Sequence, residues 1–342
     1  MAQRSCPGTQ PQRTRRSTAM KDRKYTGGMW VYGQIIDRYA TDGYNSPKPT
    51  LDIIKEAKES GLSGLDLNYP WPEKDLTPKE VKSALDASGL NAVCVTPVIY
   101  GQKYRSGSFS NADAKLRNDA IALSEESVDV ANQLGADYVK WWPGQDGYDY
   151  PFQVDYKQLR EHALGGIRTV AKNNPKTQFA IEYKLKEPRN RLLWSTANAS
   201  LINIAEVGVD NLGLVIDFGH SLFAKENPAE ALSLIHNQGK LVDIELDDNY
   251  REWDDDLTAG AIHLVETLEF LYTVEKIGWK APIKLDLFPY RENAMSAVKE
   301  SIKTLQKLEA CLNRIDMSAL AKAQNAHDAM AIQSIVRDVL IA

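Results

Sequence analysis

The chain has 342 residues, a formal net charge of −5, 43% hydrophobic residues and 25% charged residues, the balance of an ordinary globular protein able to bury a sizeable core. The negative charge gives no general attraction to nucleic acid or anionic lipid, so neither is expected as a partner, and no apolar run approaches the ~20 residues of a membrane span. Three widely spaced cysteines, Cys6, Cys94 and Cys311, make neither a disulfide framework nor a zinc ribbon and fit a reducing, cytoplasmic setting.

Taken in chain order, residues 1–20 are polar and rich in Arg, Ser and Thr, with no apolar signal core. They are expected to be a disordered or non-native tail, with Met20 a possible initiator and a transit peptide the alternative. Short apolar or β-branched runs follow at 27–33, 64–68, 91–97, 136–142, 177–183, 212–217, 240–247 and 282–288. Segments of helical periodicity separate them. Thr77-Pro78-Lys79-Glu80 and Asn227-Pro228-Ala229-Glu230 each place a cap, a proline and a glutamate as helix starts require, and Gly61, Gly135 and Gly278 close helices. Eight strands alternating with helices predict parallel pairing closed into a (β/α)8 TIM barrel over 21–312, with a C-terminal helical arm over 313–342. No glycine-rich phosphate loop follows the first strand to favour an open doubly wound sheet.

In such a barrel the chemistry lies at the C-terminal ends of the strands. Strand two ends in Asn68 and strand four in Trp141 and Trp142. Strand five ends in Glu182 and Lys184, two apart and therefore on one face. Strand six ends in Asp217, followed by His220. Strand seven carries Asp243, Glu245 and Asp247 and is followed by Asp254 to Asp256, and strand eight ends in Asp286. Any one of these aspartates alone would be a helix cap, His220 alone a structural histidine and the Asp254–Asp256 run a solvated turn. Carboxylates on four successive strand ends are different, because they would repel one another by several kcal/mol unless cations neutralised them. Oxygen ligands with one imidazole suit Mg²⁺, Mn²⁺ or Co²⁺, and the number of carboxylates suits two ions.

The segments "IEYKLKEPR", "DFGH", "LVDIELDDNYREWDDDL" and "KLDLFPYRE", in that order over 177–293, resemble the metal-binding segments of the xylose isomerase and L-rhamnose isomerase group. The resemblance implies a structural metal held by Glu182, Asp217, Glu245 and Asp286. It implies a catalytic metal sharing Asp217 with His220, Asp254 and Asp256. Lys184 would contact the substrate's O1, Trp141 or Trp142 would wall the sugar carbons, and Glu187 would shape the rim. The implied reaction interconverts an aldose and a ketose by a hydride shift, in a homo-oligomeric enzyme. The sequence departs from the group in having Asn68 where a histidine assists ring opening, Glu245 where Asp or His is usual, and Asp243 where histidine is usual.

Other functions compete. A one-metal ketose 3-epimerase, or a lyase of the same barrel type acting by proton transfer, would lack the Asp254–Asp256 pair and Lys184. A DNA-repair nuclease of this fold would need a histidine-rich zinc site, and the chain has five histidines. Simple sugar binding does not call for so many carboxylates. Met330, Ile332, Ile335, Val336, Val339 and Leu340 form an apolar stripe expected to pack either on the barrel itself or, as favoured by the group's oligomeric habit, on a neighbouring subunit.

Overall fold

All eight apolar runs contribute strands, and each strand pairs with the next. The computed structural model describes residues 23–341, so the reading of the first twenty residues lies outside the described part. The strands are β1 (Tyr25–Gly28), β2 (Gly64–Tyr69), β3 (Asn91–Pro97), β4 (Tyr138–Trp141), β5 (Phe179–Glu182), β6 (Leu212–Asp217), β7 (Leu241–Leu246) and β8 (Ile283–Leu285). They form one closed, all-parallel barrel in sequential order, and β1 pairs with β8 through Tyr25↔Ile283 to Gly27↔Leu285. The main crossover helices are α1 (Thr50–Glu59), α2 (Pro78–Ser88), α3 (Ala114–Leu134), α4 (Tyr156–Asn173) and α5 (Ala197–Val207). A short α6 (Phe218–Phe223) precedes α7 (Pro228–Asn237), and α8 (Leu264–Lys276) and α9 (Ala294–Leu312) complete the ring. Among the described residues no helix is long and apolar enough to cross a membrane.

Strand one differs from its expected span of 27–33. Pairing stops at Gly28 and residues Met29–Tyr32 form a 3-10 turn. A Cβ on Gly28 would lie 2.1 Å from the Trp30 ring, so the glycine lets Trp30 fold back across the barrel mouth, where its indole donates to Asp286 Oδ1. A short apolar run carries no periodicity that separates a strand from such a turn. Pairing in β8 ends at Leu285 because the chain then turns into the site, where Phe288 N donates to Asp256 O at 3.1 Å.

The large core lies between the outward faces of the strands and the helices, with Leu67, Val139, Ile181, Ile216, Leu246 and Leu285 among its members. A separate small apolar layer, Cys94, Tyr138, Ala180 and Val215, comes from alternate positions of β3 to β6. The C-terminal arm forms α10 (Met317–Asn325) and α11 (Ala329–Leu340). Ile332, Ile335, Val336 and Leu340 lie partly buried against this chain's own core, and Val339 is buried. Met330 stands out at 73% exposure. The stripe therefore meets its own barrel, since its spacing follows the groove beside α9, to which Arg314 also ties it by donating to Val339 O. A three-stranded antiparallel sheet, Gly147–Tyr148, Asn190–Leu192 and Lys186–Glu187, carries Glu187 over the barrel mouth.

Local signals agree with this architecture. At α2 the Thr77 hydroxyl accepts from Glu80 N at 3.3 Å, and the Glu80 carboxylate accepts from Thr77 N at 2.9 Å, with Pro78 at the first helical position. Thr77→Ala is expected to cost ~1 kcal/mol in urea unfolding with unchanged circular dichroism. No change in midpoint would mean that tertiary packing alone holds the start of α2.

Candidate active site

Alternation along the strands decides which side chains reach the barrel interior. Asp66 and Asn68 come from β2, Tyr138 and Lys140 from β4, and Glu182 from β5, with Lys184 just beyond it. Asp217 ends β6, β7 supplies Asp243 and Glu245, and β8 supplies Lys284. At the C-terminal rim Asn68, Lys140, Glu182 and Lys184 reach a cavity of about 380 Å³, while Asp217 and Glu245 lie beneath its lining, a volume within the range of small-molecule sites. Of the residues singled out from the sequence, Asn68, Trp142, Glu182, Lys184, Glu187, His220, Asp254, Asp256 and Asp286 line it.

Trp141 does not line the cavity. It is fully buried on the opposite face, stacked on Phe179 at 4.6 Å between ring centroids, with its indole donating to Ser124 Oγ on α3 at 3.0 Å. Neighbouring residues of a strand face opposite ways, so only Trp142 can be the wall. Its ring meets Tyr100 edge-on at 5.0 Å.

Among the described residues, three groups of side chains each bring ligand atoms within 4.8 Å of one another: Asp217, His220 and Asp254; Glu182, Glu245 and Asp286; and Asp247, Asp254 and Asp256. Asp217 thus falls with His220 and Asp254, apart from the Glu182 group that it was expected to bridge. It also caps α6, since its Oδ1 accepts from His220 N at 2.6 Å. Asp256 joins Asp254 through Asp247, which the sequence showed on the inward face but to which no ligand role was given. Asp247 Oδ1 accepts from Gly219 N at 2.7 Å, and a Cβ at Gly219 would lie 2.2 Å from its Oδ2. The glycine in "DFGH" makes room for that carboxylate. Asp255 turns away and accepts from Tyr250 N at 2.9 Å, fixing the loop.

The model of the xylose isomerase-like TIM barrel family matches residues 54–308. The chain belongs to that family. The xylose isomerase of Thermus thermophilus is 25% identical over 285 residues, 79% of this chain and 74% of the relative. An L-ribulose 3-epimerase has the same fold, with a TM-score of 0.66 at 14% identity over 85% of this chain and 97% of its own. A D-tagatose 3-epimerase-like protein follows at 0.64 and 16%, over 85% and 98%.

This xylose isomerase-like barrel holds two ammonium groups that the sequence reading missed. Lys140 Nζ lies 2.8 Å from Asp66 Oδ2, 2.6 Å from Glu182 Oε2 and 2.9 Å from Glu245 Oε1. Lys284 Nζ lies 2.8 Å from Glu245 Oε1, 3.1 Å from Asp66 Oδ2 and 2.9 Å from the Tyr138 hydroxyl, which itself donates to Asp243. Period-two spacing could have found both, because Lys140 shares a face with Trp142, and Lys284 with Asp286. Trp30, Tyr100, Trp253, Phe288 and Tyr290 also line the cavity. Trp30 sits in a 3-10 turn and the others on loops, where no periodicity reports a direction.

The donor set fits divalent cations. Glu245 Oε2, Asp247 Oδ2 and His220 Nδ1 are buried polar atoms without a hydrogen-bond partner, a costly state unless something neutralises them. Burial opposes the charge of Glu182, but Lys140 and then His220 hold its pKa below the ordinary value. Burial likewise opposes Asp254, and Lys184 and His220 overcome it. Asp247, Asp256 and Asp286 are pushed well up, by burial first and then by neighbouring carboxylates.

Burial, with Asp254, Glu245 and Glu182 adding and His220 opposing, raises Asp217 from 3.8 to about 7. A carboxyl whose folded pKa is raised contributes stability that is complete below its unfolded value and lost as pH rises through the folded one. Chelator-treated protein should therefore lose thermal stability as pH rises from about 4 through about 7, and Mn²⁺ added at the upper end should restore it. A melting temperature that climbs steadily over the interval, with no response to Mn²⁺, would contradict the crowding of these carboxylates.

Proposed function

We propose that the protein is a divalent-cation-dependent sugar isomerase that interconverts an aldose and a ketose. The observation that carries this reading is the convergence of Lys184, His220 and the Asp254–Asp256 pair in one cavity with Glu182 and Asp286. Divalent cations held by Asp217, His220 and Asp254 and by Glu182, Glu245 and Asp286 would polarise the sugar's carbonyl and acidify the neighbouring hydroxyl.

The chain's own groups supply the rest. Lys184 Nζ lies 2.8 Å from Asp254 Oδ2, contacts Glu187, and sits 5.4 Å from the centre of the Trp142 ring. Burial opposes its charge, but Asp254, Glu187 and Asp256 raise its pKa well above the ordinary value, so it remains an ammonium. Two carboxylates occupy two of its three donors, and the third is free for the substrate's O1, where negative charge develops. Trp142, Trp30 and Phe288 line the cavity with apolar surface that excludes water, which favours direct transfer of hydrogen between the two carbons. Asn68 donates to the Tyr100 hydroxyl at 3.0 Å, leaving its carbonyl oxygen for a sugar hydroxyl. The partner in this reading is a small sugar, with no role for nucleic acid or membrane.

A second reading, ketose 3-epimerisation by proton transfer around one cation, draws support from Lys140, which already occupies one oxygen of both Glu182 and Glu245. The epimerases that share this fold, at 14% and 16% identity, speak to the fold alone.

A panel of aldoses and ketoses incubated with Mn²⁺ in deuterated water and followed by NMR separates the two. The isomerase should give an aldose–ketose pair with no solvent deuterium at C1 or C2. Inversion at C3 with deuterium incorporated there would replace this reading with the second. Asp254→Asn should lower turnover more than roughly 100-fold with the fold intact by circular dichroism, and undiminished activity would remove Asp254 from the site.

A further inference from the structure

The two main cation-binding groups differ in what already neutralises them. In the group of Glu182, Glu245 and Asp286, an ammonium is built in. Lys140 places its Nζ within 2.9 Å of three carboxylate oxygens, on Asp66, Glu182 and Glu245. An ammonium has three N–H donors, so none remains for a substrate. Its side chain is 1% exposed, and the Trp30 ring covers it at 4.8 Å. Lys284, equally buried, takes the same oxygen of Glu245 from the other side at 2.8 Å. Glu245 is left with Oε2 as its single uncommitted oxygen. The group of Asp217, His220 and Asp254 is different. Among the described residues the one ammonium in contact with it, Lys184, touches Asp254 and Glu187 at the cavity wall and keeps one donor open.

We infer that Lys140 is a positioning residue that makes the two cation positions unequal. It fixes Glu182 and Glu245 so that each keeps one oxygen for an ion. Its own positive charge, which cannot withdraw, weakens a divalent cation at Glu182–Glu245–Asp286 relative to one at Asp217–His220–Asp254. The two positions fill in sequence, and at limiting metal only the second is occupied. This inference rests on the cation-binding reading of the site above.

Calorimetric titration of the metal-stripped full chain with Mn²⁺ tests it without reference to turnover. Two binding steps should separate by about tenfold or more in affinity. Asp286→Asn should remove or weaken only the weaker step. Lys140→Met keeps the length and apolar stem but removes the charge and donors, and should strengthen the weaker step by about tenfold while moving the tighter one much less. Two equal steps in the unmodified protein would overturn the inference, as would loss of the tighter step in Asp286→Asn or a weaker step that Lys140→Met leaves unchanged or weakens. If Lys140→Met does not fold, the unmodified protein and Asp286→Asn still decide. Complete absence of Mn²⁺ binding would refute the underlying cation reading itself, an outcome distinct from two equal steps.

Discussion

The structure depends on how charge is balanced inside a closed barrel. Asp66, Glu182, Asp217, Asp243, Glu245, Asp247, Asp254 and Asp286 are buried, and Asp256 is half-buried beside them. Against these stand the ammonium groups of Lys140, Lys184 and Lys284 and the ring of His220. Taking an ion out of water costs several kcal/mol unless a partner and hydrogen bonds compensate. The deeper carboxylates receive that compensation from two lysines whose donors are fully spent. Nearer the rim Asp254 is met by Lys184 and His220. Asp247 and Asp286 form no ion pair among the described residues, and their raised pKa values and the unpartnered Asp247 Oδ2 express the deficit.

This balance organises the interior in layers. TIM-barrel interiors are commonly filled by Val, Ile and Leu. Here one apolar layer of Cys94, Tyr138, Ala180 and Val215 is followed towards the rim by ionic contacts among Asp66, Lys140, Lys284, Asp243 and Glu245, and then by the open site. The ionic layer joins β2, β4, β7 and β8 across the barrel, so the geometry of the site is set by the same contacts that let the strands close. Glu182 and Glu245 join the two layers: each gives one oxygen to Lys140, Glu182 also lines the cavity, and Glu245 lies beneath it beside Glu182 and Asp286. A change at Lys140 therefore acts on ligand geometry and on barrel packing together.

The relatives illustrate how little a fold decides about a reaction. Sequence relatives include a xylose isomerase and the structural neighbours include ketose 3-epimerases, all on one barrel. What distinguishes the possible reactions is local: whether an ammonium stands where O1 would lie, and whether carboxylates and an imidazole accommodate one cation or two. Lys184 and the Asp254–Asp256 pair favour the isomerase, and Lys140 pulls towards a site with one dominant ion.

By itself the sequence determined the class of fold and named most of the residues proposed for the site. Eight apolar runs alternating with helices pointed to a barrel, because eight parallel strands with helical crossovers close on themselves and no glycine-rich phosphate loop favoured an open sheet. Strand-end chemistry picked out Glu182, Lys184, Asp217, His220, Glu245, Asp254, Asp256 and Asp286, since alternation is a local property that survives without coordinates. The sequence left both faces of β4 open, with Trp141 on one and Lys140 and Trp142 on the other, and tertiary structure decided between them by burying Trp141 against Phe179. Tertiary structure also decided that Met29–Tyr32 form a turn and that Asp247 lies with Asp254 and Asp256. The physical reason is distance along the chain. Lys140 meets Glu245 105 residues away, and Lys284 meets Asp66 218 residues away, and no local pattern can report a charge pair that exists only once the barrel has closed.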